Sequence, residues 1–109
     1  MKHAERVGSV MMARLRAMQE RHRCIGDVRG RGLILGLELV RDRESKEPLQ
    51  KEVTQALFQE CLRRGLVAMC YAPIVRIIPP LVITEAQALE GLELLDEALA
   101  TVAREYHLD

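Results

Sequence analysis

The sequence predicts a small α+β domain: a three- to four-stranded, largely antiparallel sheet with helices packed on one face. The 109 residues suffice for one hydrophobic core and are too few for a catalytic domain plus a cofactor domain. Three segments carry apolar residues at three- and four-residue spacing, which is typical of amphipathic helices. Short apolar runs between them, bounded by glycine, proline or charged residues, are typical of strands. The predicted order is α, β, β, α, β, β, α.

The first predicted helix covers about Lys2 to Arg21. Its apolar stripe comprises Ala4, Val7, Met11, Leu15 and Met18. A stripe this narrow needs a partner surface, either in this chain or in a neighbouring domain, and if left uncovered it could make the chain self-associate. We therefore expect one domain over residues 1–109, with a leading helix in 1–23 and an α+β body in 24–109.

The first two strands are predicted on either side of a glycine-rich bend. Gly26-Asp27 interrupts the helical pattern, and Val28-Arg29-Gly30 can form a short strand. Leu33 to Val40 is almost continuously apolar, which predicts a buried strand. Arg41 to Pro48 is polar and is expected to form a loop.

A second helix is expected over Glu52 to Arg64, with Gly65 as its C-terminal cap. Strands are expected over Leu66 to Tyr71 and over Ile74 to Ile78. Pro79-Pro80 ends the last strand because proline has no N–H to donate to a sheet ladder.

The third helix has the clearest start signal. Thr84 followed by Gln87 is the pattern of a capping box, in which each side chain bonds the other residue's backbone N–H. The expected buried stripe of this helix comprises Ala88, Leu92, Leu95, Leu99 and Val102.

Charge and composition exclude several classes of partner. Lysine plus arginine equals aspartate plus glutamate at 16 each, so no net field attracts nucleic acid or an anionic membrane. Two tyrosines and one phenylalanine are too few for base stacking. Gly30, Gly32 and Gly36 lack the spacing of a dinucleotide-binding loop. No apolar run is long enough for a membrane span.

Cysteine and histidine usage points to a reducing compartment and to no metal site. Cys24, Cys61 and Cys70 have neither disulfide-framework nor zinc-site spacing, so we expect a cytoplasmic protein, with Cys61 and Cys70 in the core. His3, His22 and His107 are scattered along the chain. These histidines are the remaining metal candidates, and they are weak ones.

Arg76 is the candidate functional residue. It interrupts an apolar strand and shares a face with Ile74 and Ile78. A guanidinium in such a place requires an anionic or carbonyl partner. Two partners are compatible with the pattern: Glu38 on the other apolar strand, or a ligand carboxylate bound through two parallel hydrogen bonds.

Four segments together resemble a known family. They are Val28-Arg29-Gly30-x-Gly32-Leu33, Gly36-Leu37-Glu38-Leu39, Gly65-Leu66, and Val75-Arg76-Ile77-Ile78-Pro79-Pro80-Leu81-Val82-Ile83-Thr84. In order and spacing they resemble the C-terminal small domain of the class III pyridoxal-phosphate aminotransferases, which include the 4-aminobutyrate, ornithine and acetylornithine enzymes. The resemblance extends over about residues 7–102.

The resemblance implies a fold-type I homodimer whose active site lies between a large cofactor-binding domain and this small domain. Arg76 would bind the carboxylate of an amino-acid or oxo-acid substrate, and no catalytic role passes to Arg29. The Schiff-base lysine and the other cofactor-binding residues would belong to the missing large domain, because Lys2, Lys46 and Lys51 do not match the family's lysine motif. We therefore expect pyridoxal phosphate in the intact enzyme only, and no catalytic, cofactor-binding or metal-binding residue in this chain.

Two alternatives follow from the residues alone. The chain could be a free-standing α+β regulatory module in which Arg76 binds a small effector. It could also be purely structural, with Arg76 paired to Glu38.

Overall fold

The computed structural model describes residues 2–31, 34–65, 69–71, 74–77 and 83–108, and for strands β4 and β5 it gives the course of the backbone. The elements are α1 (Lys2–Arg21), β1 (Ile25–Arg31), β2 (Ile34–Asp42), β3 (Glu47–Pro48), α2 (Lys51–Arg63), β4 (Met69–Tyr71), β5 (Ile74–Ile77) and α3 (Glu85–Tyr106). The predicted α+β class is confirmed.

Four strands form one antiparallel sheet in the order β1-β2-β5-β4, and the short β3 pairs with the end of β2. On β2, Leu35, Leu37 and Leu39 are buried against the helices. Because side chains alternate along a strand, Gly36 and Glu38 belong to the opposite face. We call this second face, on which the described Glu38 side chain is 35% exposed, the open face.

The stripe of the first helix is covered within this chain. Val7, Met11, Leu15 and Met18 are at most 2% exposed and belong to the main core cluster. The helix packs on β1 and α3. Of the two partner surfaces considered, the α+β body of this chain is therefore the one that covers the stripe, so the stripe is not left uncovered.

The first strand begins earlier than the predicted Val28-Arg29-Gly30, at Ile25, so Gly26-Asp27 does not precede it. Both residues lie inside β1, where the pairing shifts between Ile25 and Asp27, so Gly26 is the extra residue of a β-bulge. The bulge lets Ile25 and Val28 both reach the core, which strict alternation over an odd number of steps would forbid. A glycine fits here because a Cβ would lie 2.7 Å from Val40 Cγ1.

The predicted loop from Arg41 to Pro48 is also wrong in part. Strand β2 continues to Asp42, a four-residue turn follows, and Glu47–Pro48 pairs back as β3. Lys46 takes a positive φ of 58° in this turn. Proline is tolerated in β3 because this strand lies at the edge of the sheet.

The predicted start of α3 and the predicted glycine after α2 are both present in the structure. In α3 the capping box is present: Gln87 N donates to Thr84 Oγ1 at 3.1 Å, and Thr84 N donates to Gln87 Oε1 at 3.0 Å. All five residues of its expected stripe are buried. Helix α2 ends at Arg63, and Gly65 adopts the left-handed φ of 87° expected of a residue that stops a helix. The proposed stop at Pro79-Pro80 lies outside the described residues.

Candidate functional site

Backbone pairing gives the position of Arg76 in the sheet. It lies in β5, an interior strand, directly opposite Gly36 of β2 on one side and Met69 of β4 on the other. Residues directly opposite each other in an antiparallel pair belong to the same face. Position 76 therefore lies on the open face, in a cross-strand row that begins with Arg29 of β1, which is also opposite Gly36.

The next row of the open face carries two acidic residues. Asp27 of β1 lies directly opposite Glu38 of β2, and Glu38 lies opposite Ile74 of β5. Arg29 bridges the two carboxylates: its Nε is 2.6 Å from Asp27 Oδ2, and its Nη2 is 3.3 Å from Glu38 Oε2. Glu38, the proposed internal partner of Arg76, is thus engaged by Arg29.

The electrostatic effect of Arg29 is visible on its neighbour. The hydrogen bond from the Arg29 guanidinium lowers the pKa of Asp27 below its ordinary value of 3.8, and a hydrogen bond from the Val28 N–H acts in the same direction. Asp27 and Glu38 in turn raise the pKa of Arg29. Asp27 and Arg29 therefore stabilise each other in their charged forms.

Sequence reasoning missed this cluster. Arg29 and Glu38 belong to segments that carry the family resemblance, but neither segment indicates that these side chains pair with each other or with Asp27. The signal was available in the pairing of the two predicted strands, since an antiparallel hairpin with Val28 opposite Leu37 places Asp27 opposite Glu38. The pairing is regular from Asp27 to Arg31, and the bulge at Gly26 shifts only the pairing before Asp27. Local patterns did not give this register.

The three histidines are in separate places. His3 Nε2 lies 2.9 Å from the Ile83 carbonyl oxygen, and His107 is the left-handed C-terminal cap of α3. His22 is buried and its Nε2 donates to Asp96 Oδ1 at 2.6 Å. Across the described part of the chain, no three histidine, cysteine or acidic side chains are grouped so that they could hold a metal ion.

The cysteines that the structure describes are structural. Cys61 is fully buried in α2, as predicted, and Cys24 is 2% exposed at the start of the sheet. Cys70 lies in β4, where its side chain is outside the description. Among the described helices, none is long and apolar enough to cross a membrane.

A groove of about 490 Å³ lies on the helix side of the sheet. Gly8, Ser9 and Met12 of α1 line it, together with Gly30 and Leu35 of the first two strands. Leu35 faces the core, so this groove and the open face lie on opposite sides of the sheet. The described site around Arg29 is therefore separate from it.

Two lysines have described side chains, and neither is placed for a Schiff base. Lys46 is exposed in the turn before β3, and Lys51 is exposed at the start of α2. Neither lies in an enclosed space where a Schiff base could be shielded from water.

Known proteins are similar to this chain over nearly its whole length. The family model described as aminotransferase class-III matches residues 1–99. The leucine/methionine racemase of Thermococcus litoralis is 41% identical over 102 residues, which are 94% of this chain and 23% of that protein. The taurine–pyruvate aminotransferase of Rhodobacter capsulatus is 34% identical over 116 residues, covering 94% of this chain and 24% of that protein.

A solved structure has the same fold. The PMP-bound aminotransferase from Vibrio fluvialis superposes with a TM-score of 0.87 at 31% identity, over 95% of this chain and 23% of its own. The chain thus spans less than a quarter of the length of each of these three proteins. The match over nearly all of its own length shows that this chain belongs to the class III aminotransferase family.

Proposed function

We propose that the chain is the C-terminal small domain of a pyridoxal-phosphate-dependent aminotransferase, and that Arg76 binds the substrate carboxylate. The intact enzyme would transfer an amino group from an amino acid or amine to a 2-oxo acid. The family match favours this enzyme over the free-standing regulatory module. The lysine, the phosphate-binding groups and the rest of the cofactor site would lie in the larger part of the protein that this chain does not span.

The observation that carries the proposal is the register of position 76. It lies opposite Gly36, which adds no side chain to the row, and on the open face, where the described Arg29 side chain is 74% exposed. A planar guanidinium there can offer two parallel N–H groups to a carboxylate approaching from another domain. Desolvation by that domain would strengthen the ion pair.

The proposal includes a homodimer in the cytoplasm, with a small amino-acid or oxo-acid substrate. Similar solved aminotransferases are described as PLP-bound and PMP-bound, which supports this cofactor for the intact enzyme. The buried thiols Cys24 and Cys61 suit a reducing compartment.

The test compares acceptors with and without a carboxylate in the full-length enzyme. With a simple amine as donor, Arg76→Gln is expected to raise KM for a 2-oxo acid roughly 30-fold or more, because a desolvated charged partner is lost. KM and kcat with an aldehyde acceptor that has no carboxylate should stay near the wild-type values. Arg76→Lys, which keeps the charge but loses the fork, should fall between the two. Equal KM values for the oxo acid in wild type and Arg76→Gln would refute the assignment.

Racemisation of an amino acid is a second candidate reaction. The Thermococcus litoralis racemase is 41% identical to this chain over 102 residues. Arg76 would hold the same carboxylate in either reaction. Chiral chromatography of a single amino acid incubated without an oxo acid distinguishes them, since only a racemase produces the opposite enantiomer under that condition.

A further inference from the structure

The open face places two carboxylates directly opposite each other. Asp27 and Glu38 are paired in register on β1 and β2, where like charges are destabilising unless a cation lies between them. Arg29 supplies that cation, with contacts of 2.6 Å to Asp27 and 3.3 Å to Glu38. Without Arg29, Glu38 would face an uncompensated like charge.

Arg76 occupies a position relative to Glu38 that is equivalent, in the strand register, to the position of Arg29. Arg29 and Arg76 flank Gly36 on its two sides, and Glu38 is two residues along β2 on the same face as Gly36. Glu38 is therefore a diagonal neighbour of both positions. Diagonal neighbours lie roughly 7–8 Å apart between Cα atoms, within reach of long charged side chains.

We propose that Arg29 is a positioning residue for the carboxylate site, because it holds Glu38 and so leaves Arg76 available to the substrate. This inference rests on the proposed function of Arg76. A Glu38 released from Arg29 is a carboxylate tethered beside Arg76, so it competes with the substrate carboxylate for the same guanidinium. Arg29 acts through Glu38 and does not itself contact the substrate.

The geometry suits such a role. The Arg29 side chain is 74% exposed, so it contributes little to the core, whereas the Glu38 side chain is 35% exposed and reaches its partner across the strand pair. The shorter contact is to Asp27, which fixes the guanidinium on β1, on the far side of Gly36 from β5. Glu38 is thereby drawn toward β1 and away from the strand that carries Arg76.

The experiment uses the full-length enzyme with an amine donor and two acceptors, a 2-oxo acid and an aldehyde without a carboxylate. Arg29→Met is expected to raise KM for the oxo acid by roughly three- to tenfold, because the released glutamate competes through a partly screened ion pair. Its kcat and all constants for the aldehyde should be unchanged. Raising the salt concentration should shrink the difference.

Matched variants separate this role from a structural one. Arg29→Met combined with Glu38→Gln should return KM for the oxo acid to the wild-type value, and Arg29→Lys should retain most of the effect of arginine. A packing defect would instead alter kinetics with both acceptors and would not be rescued at position 38. An unchanged KM in Arg29→Met, or a raised KM that Glu38→Gln does not restore, overturns the inference.

The result with Arg76 tells the two proposals apart. If Arg76→Gln raises KM for the oxo acid while Arg29→Met does not, only the role of Arg29 fails. If Arg76→Gln leaves that KM unchanged, the carboxylate site itself is refuted, and the role of Arg29 is refuted with it.

Discussion

The hydrogen bond between His22 and Asp96 connects the end of α1 to α3, and its contribution to the free energy of unfolding can be measured. His22 lies just after α1, its side chain is 8% exposed, and its Nε2 donates to Asp96 of α3 at 2.6 Å. The other ring nitrogen, Nδ1, is buried and has no hydrogen-bond partner among the described residues. Arg21 reaches the same carboxylate at 2.5 Å, but its side chain is 56% exposed.

Replacing Asp96 by alanine leaves the buried Nε2 without an acceptor as well. An unsatisfied buried polar group costs about 1–3 kcal/mol, and the exposed Arg21 pair adds about 1 kcal/mol at most. We therefore expect Asp96→Ala to lower the free energy of unfolding by about 2–3 kcal/mol, and Asp96→Asn, which keeps an oxygen acceptor, by about half of that. Arg21→Ala serves as the matched control, with an expected loss of about 0.5 kcal/mol.

Urea denaturation followed by circular dichroism measures these differences as shifts of the midpoint at constant m. A double-mutant cycle with His22→Leu isolates the buried bond, since Asp96→Ala should cost far less once the imidazole is gone. Two results would show that the buried hydrogen bond does not stabilise the fold. One is an equal loss of unfolding free energy in Asp96→Ala and Arg21→Ala, and the other is a double-mutant cycle in which the two single losses simply add.

Three further predictions concern the first strand and the last helix. Gly26→Ala should destabilise the fold by about 1–3 kcal/mol in urea denaturation, because its Cβ would meet Val40 Cγ1 at 2.7 Å, and the same change should cost far less when it is made in the Val40→Ala variant. No relief by Val40→Ala would count against the clash. Thr84→Ala should cost about 1 kcal/mol through loss of the Gln87 N–H bond, while Thr84→Ser, which keeps the oxygen, should be nearly neutral. A loss as large in Thr84→Ser would contradict the capping role. Asp27 has a lowered pKa in the folded chain, so its charge stabilises the fold above pH 3.8 and that stabilisation disappears as the pH falls through the folded value. The stability difference between wild type and Asp27→Asn should therefore be larger at pH 7 than at pH 3, and a difference independent of pH would be the contrary result.

The helices could be predicted from sequence because their signals are local. The stripe from Val7 to Met18 needs only periodicity, and the Thr84–Gln87 capping box needs only a spacing of three. The burial of the stripe and the hydrogen bonds of the capping box are both confirmed. The strand that contains Arg76 could be predicted for the same reason, because an apolar run bounded by proline indicates a strand.

The remaining features depend on contacts between distant segments. Gly26-Asp27 carries the composition of a turn, and only the need to bury both Ile25 and Val28 makes it a bulge. The His22–Asp96 bond joins residues 74 positions apart and leaves no trace in either local pattern. The pairing of Arg29 with Glu38 likewise depends on the register of two strands, which the local pattern of neither strand specifies.

The strand order has a consequence for the order in which the chain can assemble during synthesis. Strand β5 lies between β2 and β4, yet it is the last of the described strands to leave the ribosome. Until residues 74–77 emerge, β2 can pair with β1 and the short β3, and β4 lacks the strand that it pairs with in the described sheet. The nascent chain therefore exposes unpaired strand edges, which are prone to pair with other chains, until the strand that carries Arg76 closes the gap.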